Sequence, residues 1–233
     1  MSELYLIRHG QATINSDNYD RLSDLGRQQA SILGSHLAEL GISFDAAYSG
    51  TLERQRHTGE LVLAALGQGA DFLQHAPAGN EYNAFDIFKT QLGHMRGGGP
   101  VEDHQVRELA QDRENFRHLY EQAMLRWLDA GPHEAGPETW LGFQERVGGL
   151  IKDILAREGR GKRVALFTSG GPISAAMRLT LELPDQVALR LTWQVRNSSV
   201  TVLRFDGQRL SLECFNSVAH LQATGRPELI TRV

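Results

Sequence analysis

The chain has 233 residues, 41% hydrophobic and 22% charged, a balance that excludes a disordered tail protein, a collagen-like fibre and a membrane bundle. Its length suits one large domain able to bury roughly 70% of the unfolded surface, and the single cysteine, Cys214, leaves no partner for an internal disulfide. A net charge of −4 and a pI of about 6.1 argue against binding to nucleic acid or to a polyanionic membrane.

Leu4-Tyr5-Leu6-Ile7 is an apolar, β-rich run that stops at Arg8-His9-Gly10, so a buried strand followed by a loop is expected. Met1–Gly10 carries two charges and no apolar run of signal-peptide length, and no long apolar span follows. A cytoplasmic protein without membrane contact is the resulting expectation. Ser23 opens a helix with Leu25, Ile32, Leu33, Leu37 and Leu40 on one face, and Gly41 stops it. Phe44–Tyr48 predicts a second strand, Thr51–Leu66 a second helix, and Phe72-Leu73 the start of a brief strand before Pro77.

From about Asn80 to Pro137 the texture changes. This stretch holds His94, His104, His118 and His133, a Gly97-Gly98-Gly99-Pro100 break, and predicted helices over about 81–93 and 102–129. Neither helix has a partner strand, so the segment at about 80–137 reads as a cap insertion on one domain covering 1–233. A helix over about 138–157 returns to the core strand Val164–Phe167. Gly170-Gly171-Pro172 then turns into a helix over 172–182, with proline expected at its first position. Ser199–Phe205 and Leu210–Phe215 flank Asp206-Gly207, a hairpin signal. The predicted fold class is α/β: a three-layer α/β/α sandwich whose sheet is mostly parallel with an antiparallel edge, carrying a helical cap insertion.

In open α/β sheets, ligands bind beyond the carboxyl ends of the strands. Two strand ends stand out. Arg8-His9-Gly10 sets an arginine beside a histidine, and Thr168-Ser169-Gly170-Gly171 offers a hydroxyl, two glycines and a helix N-terminus suited to an anion. Together they describe a phosphate pocket containing a nucleophile. Taken singly, each has a plain structural reading as surface decoration or a capped turn. The four cap histidines show no i, i+4 pair and no cysteine partner, so no metal site is expected. Trp127 and Trp140 read as core. No P-loop or Gly-x-Gly-x-x-Gly signature occurs, and no cofactor is expected.

The longer pattern is more specific. Arg8-His9-Gly10-Gln11-Ala12, Asn15, Leu22-Ser23-x-Leu25-Gly26-x-x-Gln29-Ala30, and Ser49-Gly50-Thr51-Leu52-Glu53-Arg54 with Thr58 and Glu60 resemble the opening blocks of the histidine phosphatase (phosphoglycerate mutase-like) superfamily. Phe167–Pro172, Asn197–Thr201, and Asn216 with His220-Leu221 resemble its later blocks, and the likeness spans most of the chain outside about 83–137. The resemblance implies that His9 is the nucleophile, held neutral with its second ring nitrogen bonded to a backbone carbonyl. It also implies that Arg8 and Arg54 clamp the phosphoryl oxygens, with Asn15, Gly10, Ser169 and Gly170 lining the phosphate site.

Glu81 stands where many members carry an acidic residue. It would protonate the leaving alkoxide, with its pKa raised by burial and that rise opposed by the arginines. Asp86 is the fallback. The sequence departs from the family pattern at Ser169, where most members carry a histidine. A serine supplies a hydrogen bond but no positive charge, which implies a loss on the order of 10²–10³ in rate unless another group compensates; His220 is not expected to do so, because a histidine-leucine pair near this point looks like a general feature of the family.

These residues imply a phosphomonoesterase that needs no metal and acts on a small phosphorylated metabolite through a phosphohistidine. A phosphoglycerate mutase-like transfer and a non-catalytic phosphate-binding or scaffold protein of the same fold remain open alternatives. A serine hydrolase using Ser169 is disfavoured, because the first glycine of a Gly-x-Ser-x-Gly elbow is missing.

Overall fold

The structure is a computed structural model that describes residues 2–13, 20–99, 101–206 and 209–232. Asn15, Pro100 and Gly207, each singled out above, lie outside the described residues.

Six strands form one sheet: β1 (Ser2–Arg8), β2 (Ala46–Ser49), β3 (Leu73–His75), β4 (Arg163–Thr168), β5 (Val200–Phe205) and β6 (Leu210–Ser217). Their spatial order is β3-β2-β4-β1-β5-β6. The first four are mutually parallel, β5 runs antiparallel to β1, and β6 closes the edge antiparallel to β5. The predicted mostly parallel sheet with an antiparallel edge is therefore present. In the β1–β4 register Ile7 faces Phe167 and Arg8 faces Thr168. The His9 amide then donates to the Thr168 carbonyl at 2.9 Å, extending the ladder by one step. That step sets the two polar strand ends side by side.

Alternation along the strands builds the three layers. Leu4 and Leu6 of β1, with Val164 and Leu166 of β4, face a core shared with α6 (Trp140–Glu158), α7 (Gly170–Leu181) and α8 (Asp185–Thr192). Tyr5, Ile7, Ala165 and Phe167 point the other way, against Ala30, Leu33 and Leu37 of α1 (Asp24–Glu39) and Val62 and Leu63 of α2 (Glu53–Ala65). Each buried valine, leucine, isoleucine or phenylalanine among them contributes roughly 1.5–3 kcal/mol by leaving water. The α1 helix begins where Ser23 accepts a bond from the Gly26 amide at 3.0 Å. Gly26 also lets the helix press on the loop after β1, since a Cβ there would lie 2.1 Å from the Gln11 carbonyl oxygen.

The segment between β3 and α6 folds as α3 (Ala84–Met95), α4 (Asp103–Leu109) and α5 (Arg113–Asp129). Phe88, Leu92, Val101, Val106 and Ala123 make a small core of their own. Tyr82, Ile87, Met124 and Trp127 tie this segment into the core beneath α6 and α7. Trp127 and Trp140 are both buried, as expected.

Four element readings require correction. The single helix expected over 102–129 is two, because the Asp112 side chain accepts from the Asn115 amide at 3.1 Å and starts a new helix. The helix expected from 81 begins at Ala84, capped by Asn83. Pro172 is the third residue of its helix, not the first: Gly170 and Gly171 are already helical, and a proline there forfeits no intrahelical bond because the first-turn amides lack one. The short helices α8 and α9 (Ala219–Gln222) were not anticipated. Among the described residues, no helix is long and apolar enough to cross a membrane.

Candidate active site

His9 leaves β1 into a tightly held loop. Its carbonyl accepts from the Ser198 amide at 3.1 Å and from Asn197 Nδ2 at 3.3 Å. The Gly10 amide donates to Thr58 Oγ1 at 3.1 Å, and that hydroxyl donates to the Arg54 carbonyl at 2.7 Å, locking α2 to the loop. The Gln11 amide donates to Gln29 Oε1 at 2.8 Å. His9 itself is 6% exposed.

Its tautomer follows from its partners. Nδ1 lies 2.7 Å from the Gly10 carbonyl oxygen, and a carbonyl can only accept, so Nδ1 carries the proton. Nε2 is left with a lone pair and accepts from Arg54 Nε at 3.1 Å. Burial holds the His9 pKa well below the ordinary histidine value, and the positive charges of Arg54 and Arg8 push it down further. The Gly10 carbonyl opposes this only in part. The ring is neutral near pH 7, with its lone pair turned toward a guanidinium.

Two arginines flank it. Arg8 is buried, and its guanidinium donates to the Val195 carbonyl while Nε is left without a partner. Burial lowers its pKa to about 10, with Glu81 pulling it back up and Arg54 adding to the fall. Arg54 sits in the first turn of α2. It pairs with Asp20 at 2.7 Å, and Asp20 also accepts from the Glu53 amide at 2.7 Å. Arg54 therefore reaches inward from the first turn of α2 to His9.

Glu81 lies in the connection before α3. Its carboxylate accepts from the Gly171 amide at 2.9 Å, at the N-terminus of α7, and from the Tyr82 amide at 3.2 Å. Gly171 makes this possible, because a Cβ there would lie 2.0 Å from Glu81 Oε1. Burial raises the Glu81 pKa, opposed by the Gly171 bond and by Arg54 and Arg8. This is the balance expected from the sequence. The fallback Asp86 is engaged elsewhere, accepting from Asn83 Nδ2 at 2.7 Å at the start of α3.

Ser169 is buried between β4 and α7, and its Oγ accepts from Gln55 Nε2 at 2.8 Å. Gly170 packs closely on α8, where a Cβ would lie 2.9 Å from the Thr192 carbonyl oxygen. His220 is not in the front of the site. It bonds Ser198 through Nε2 at 2.6 Å, behind the His9 loop, with its pKa pushed by burial to about 4. A neutral imidazole in that place supplies no charge to the phosphoryl site.

The structure therefore brings Arg8, His9, Gly10, Arg54, Glu81, Ser169 and Gly170 to one end of the sheet. Sequence reasoning missed Asp20, Gln55, Ser198 and the Val195 carbonyl as parts of the site. Ser198 alone carried a signal, as a member of the Asn197–Thr201 block. Among the described residues, no group of three or more His, Cys, Asp or Glu side chains is placed to hold a metal ion.

Comparison with known proteins bears on this constellation. The family model of the histidine phosphatase superfamily (branch 1) matches residues 4–76 and 99–218. The chain belongs to that superfamily. The matched stretches contain Arg8, His9, Arg54 and Ser169, whereas Glu81 lies in the stretch between them. The 2,3-bisphosphoglycerate-dependent phosphoglycerate mutase of Rhizobium etli is 44% identical over 71 residues, 28% of this chain. That match spans about a third of the curated relative's length, 34%. Among solved structures, the phosphoglycerate mutase of Bacillus anthracis superposes with a TM-score of 0.66 at 21% identity, covering 97% of each chain. A phosphoserine phosphatase of Entamoeba histolytica, bound to phosphoserine, gives 0.63 at 17% identity, covering 95% of this chain and 100% of its own. At these identities the superpositions show a shared fold.

Proposed function

We propose that the protein is a phosphomonoesterase acting on a small phosphorylated metabolite through a covalent phosphohistidine on His9. The observation that carries this reading is the tautomer of His9: Nδ1–H held by the Gly10 carbonyl, Nε2 unprotonated and facing Arg54.

An entering phosphoryl group takes the place of Nε2 as partner of Arg54, while the unpartnered Nε of Arg8 offers a second cationic donor. The Nε2 lone pair attacks phosphorus. As the P–O bond to the leaving group breaks, its electron pair goes to that oxygen, which takes the proton of the Glu81 carboxyl. Glu81, now a carboxylate, removes a proton from water; the resulting hydroxide attacks phosphorus, the P–N pair returns to Nε2, and phosphate leaves. Charge on the equatorial oxygens is met by the two guanidiniums, so the reading calls on no metal. The Nδ1–H bond persists throughout and keeps the ring in one orientation.

Two proteins with the matching fold or sequence are mutases, and His9 is nearly covered, which favours a second reading: transfer of the phosphoryl group to another hydroxyl instead of to water. The test is p-nitrophenyl phosphate turnover from pH 5 to 8, in wild type and His9→Ala, with and without 3-phosphoglycerate as acceptor. Phosphate release that vanishes in His9→Ala supports the phosphatase. Release suppressed by acceptor in favour of a bisphosphorylated product supports the mutase. Tight phosphate binding without either reaction leaves a phosphate-binding protein and defeats both.

A further inference from the structure

We propose that Gln55 is a positioning residue for the phosphoryl site, holding the Ser169 hydroxyl so that its proton donates to a phosphoryl oxygen. The inference rests on the phosphohistidine reading above and adds a residue to which neither the sequence pattern nor that reading gives a role.

Gln55 follows Arg54 in α2 and is fully buried. Its Nε2 donates to Ser169 Oγ at 2.8 Å and to the Gly79 carbonyl at 3.3 Å. A carbonyl can only accept, so the Gly79 oxygen fixes which side of the amide faces Ser169. Ser169 Oγ is therefore the acceptor in its bond to Gln55, and its own proton remains to be given. Ser169 sits at the N-cap of α7, yet its side chain makes no capping bond. The position follows Thr168, whose carbonyl receives the His9 amide, so Ser169 stands one residue beyond the backbone step that ties β4 to the nucleophile. Thr168 Oγ1 donates to the same Gly79 carbonyl at 2.6 Å, which leaves that oxygen no call on the serine proton.

The surroundings are fitted to this amide at a cost. Gln55 Oε1 is buried without a partner, which is destabilising for an acceptor. Gly50 makes the room for it, because a Cβ at position 50 would lie 1.9 Å from Oε1. An aliphatic side chain would fill the same space without an orphaned oxygen. The glutamine is held there for what its nitrogen does, and its nitrogen faces Ser169.

The experiment is a double-mutant cycle on kcat/KM for p-nitrophenyl phosphate, with ³²P labelling of His9 in the wild type and a thermal melt of each variant. Ser169→Ala removes one donor to the transferring group and is expected to cost about 10²-fold, mostly in kcat. Gln55→Met keeps the length and loses the donor, and is expected to cost about 10-fold in wild type and less than 2-fold on Ser169→Ala. Gly50→Ala displaces the amide and also presses on Asn80 Oδ1, 2.5 Å from the added Cβ, so the part of its penalty that disappears on Ser169→Ala reads the Gln55 contact, and that part should be present even if Gln55→Met does not fold. Equal penalties with and without the Ser169 hydroxyl, or full activity in both the Gln55 and Gly50 variants, would overturn the positioning role. A wild type that never acquires label on His9 overturns the phosphohistidine reading itself, and the inference with it; a labelled wild type with additive penalties overturns Gln55 alone.

Discussion

Gly171→Ala places a single methyl group against the proposed proton donor and nothing else in the phosphate clamp. The glycine amide holds Glu81 Oε2 at 2.9 Å, and the added Cβ would stand 2.0 Å from Oε1, 3.0 Å from the carboxyl carbon and 2.8 Å from Tyr82 Cε1. Non-bonded carbon contacts settle near roughly 3.5 Å, so the carboxyl must withdraw by about 1 Å or more. A displacement of that size costs on the order of 10²-fold when it misplaces a reacting group, and a general acid is worth about 10²–10⁴ in all. Gly171 has no positive φ, and alanine is the better helix former by up to about 1 kcal/mol, so the backbone accepts the change. The assay compares kcat/KM for an alkyl phosphate, whose alkoxide needs a proton, with p-nitrophenyl phosphate, whose phenolate does not. The expected result is about a 100-fold fall for the alkyl ester and less than 3-fold for the aryl ester. Equal losses on both, or no loss on either, would refute Glu81 as the acid.

Glu81→Gln is expected to reproduce that discrimination without steric change, read as the same pair of kcat/KM values. The pH profile gives an independent check. His9 is neutral to well below its ordinary pKa, so kcat/KM for the aryl phosphate, which reads phosphorylation of His9, should stay level as pH falls below 6.5. Glu81 must be protonated for that step and its pKa is raised, so kcat/KM for the alkyl phosphate should decline with rising pH through a limb above 4.5 that the aryl ester lacks. Arg54→Ala is expected to raise KM and lower kcat together, by about 10²–10³ in kcat/KM, because the guanidinium meets both ground-state and developing charge. His220 should set an acid limit on stability. Unfolded, it takes a proton near pH 6.5, but folded only at about 4, so its contribution is complete above 6.5 and is lost as pH falls toward 4. At about 1.4 kcal/mol per pH unit this amounts to about 3 kcal/mol, and urea titrations of His220→Asn should show a correspondingly flatter acid slope.

Legibility in the sequence followed the range of the interaction. The β1 and β4 strands were readable because a short apolar run ends abruptly in polar residues and glycine, and the same ends carry Arg8-His9 and Ser169-Gly170. Their adjacency needs only the parallel pairing of two core strands. Asp20 and Gln55 were not readable, because each acts through a partner 34 or 114 positions away. Gln55 even breaks the usual rule for a buried helix face, and only the contact with Ser169 gives it a reason. The α4–α5 break escaped notice because no glycine or proline marks it. Asp112 ends one periodic run by capping the next. His220 was not expected to replace the missing histidine, and its bond to Ser198 gives the physical reason, since it engages the ring away from the phosphoryl site.

The phosphohistidine mechanism is tested by trapping the phosphoenzyme: rapid acid-free denaturation after mixing with a ³²P-labelled monoester, followed by peptide mapping. Transfer through His9 gives an acid-labile, alkali-stable label on that residue, absent in His9→Ala and longer-lived in Glu81→Gln, where no carboxylate activates water. Sustained hydrolysis in His9→Ala, or a label carried by any other residue, would contradict it.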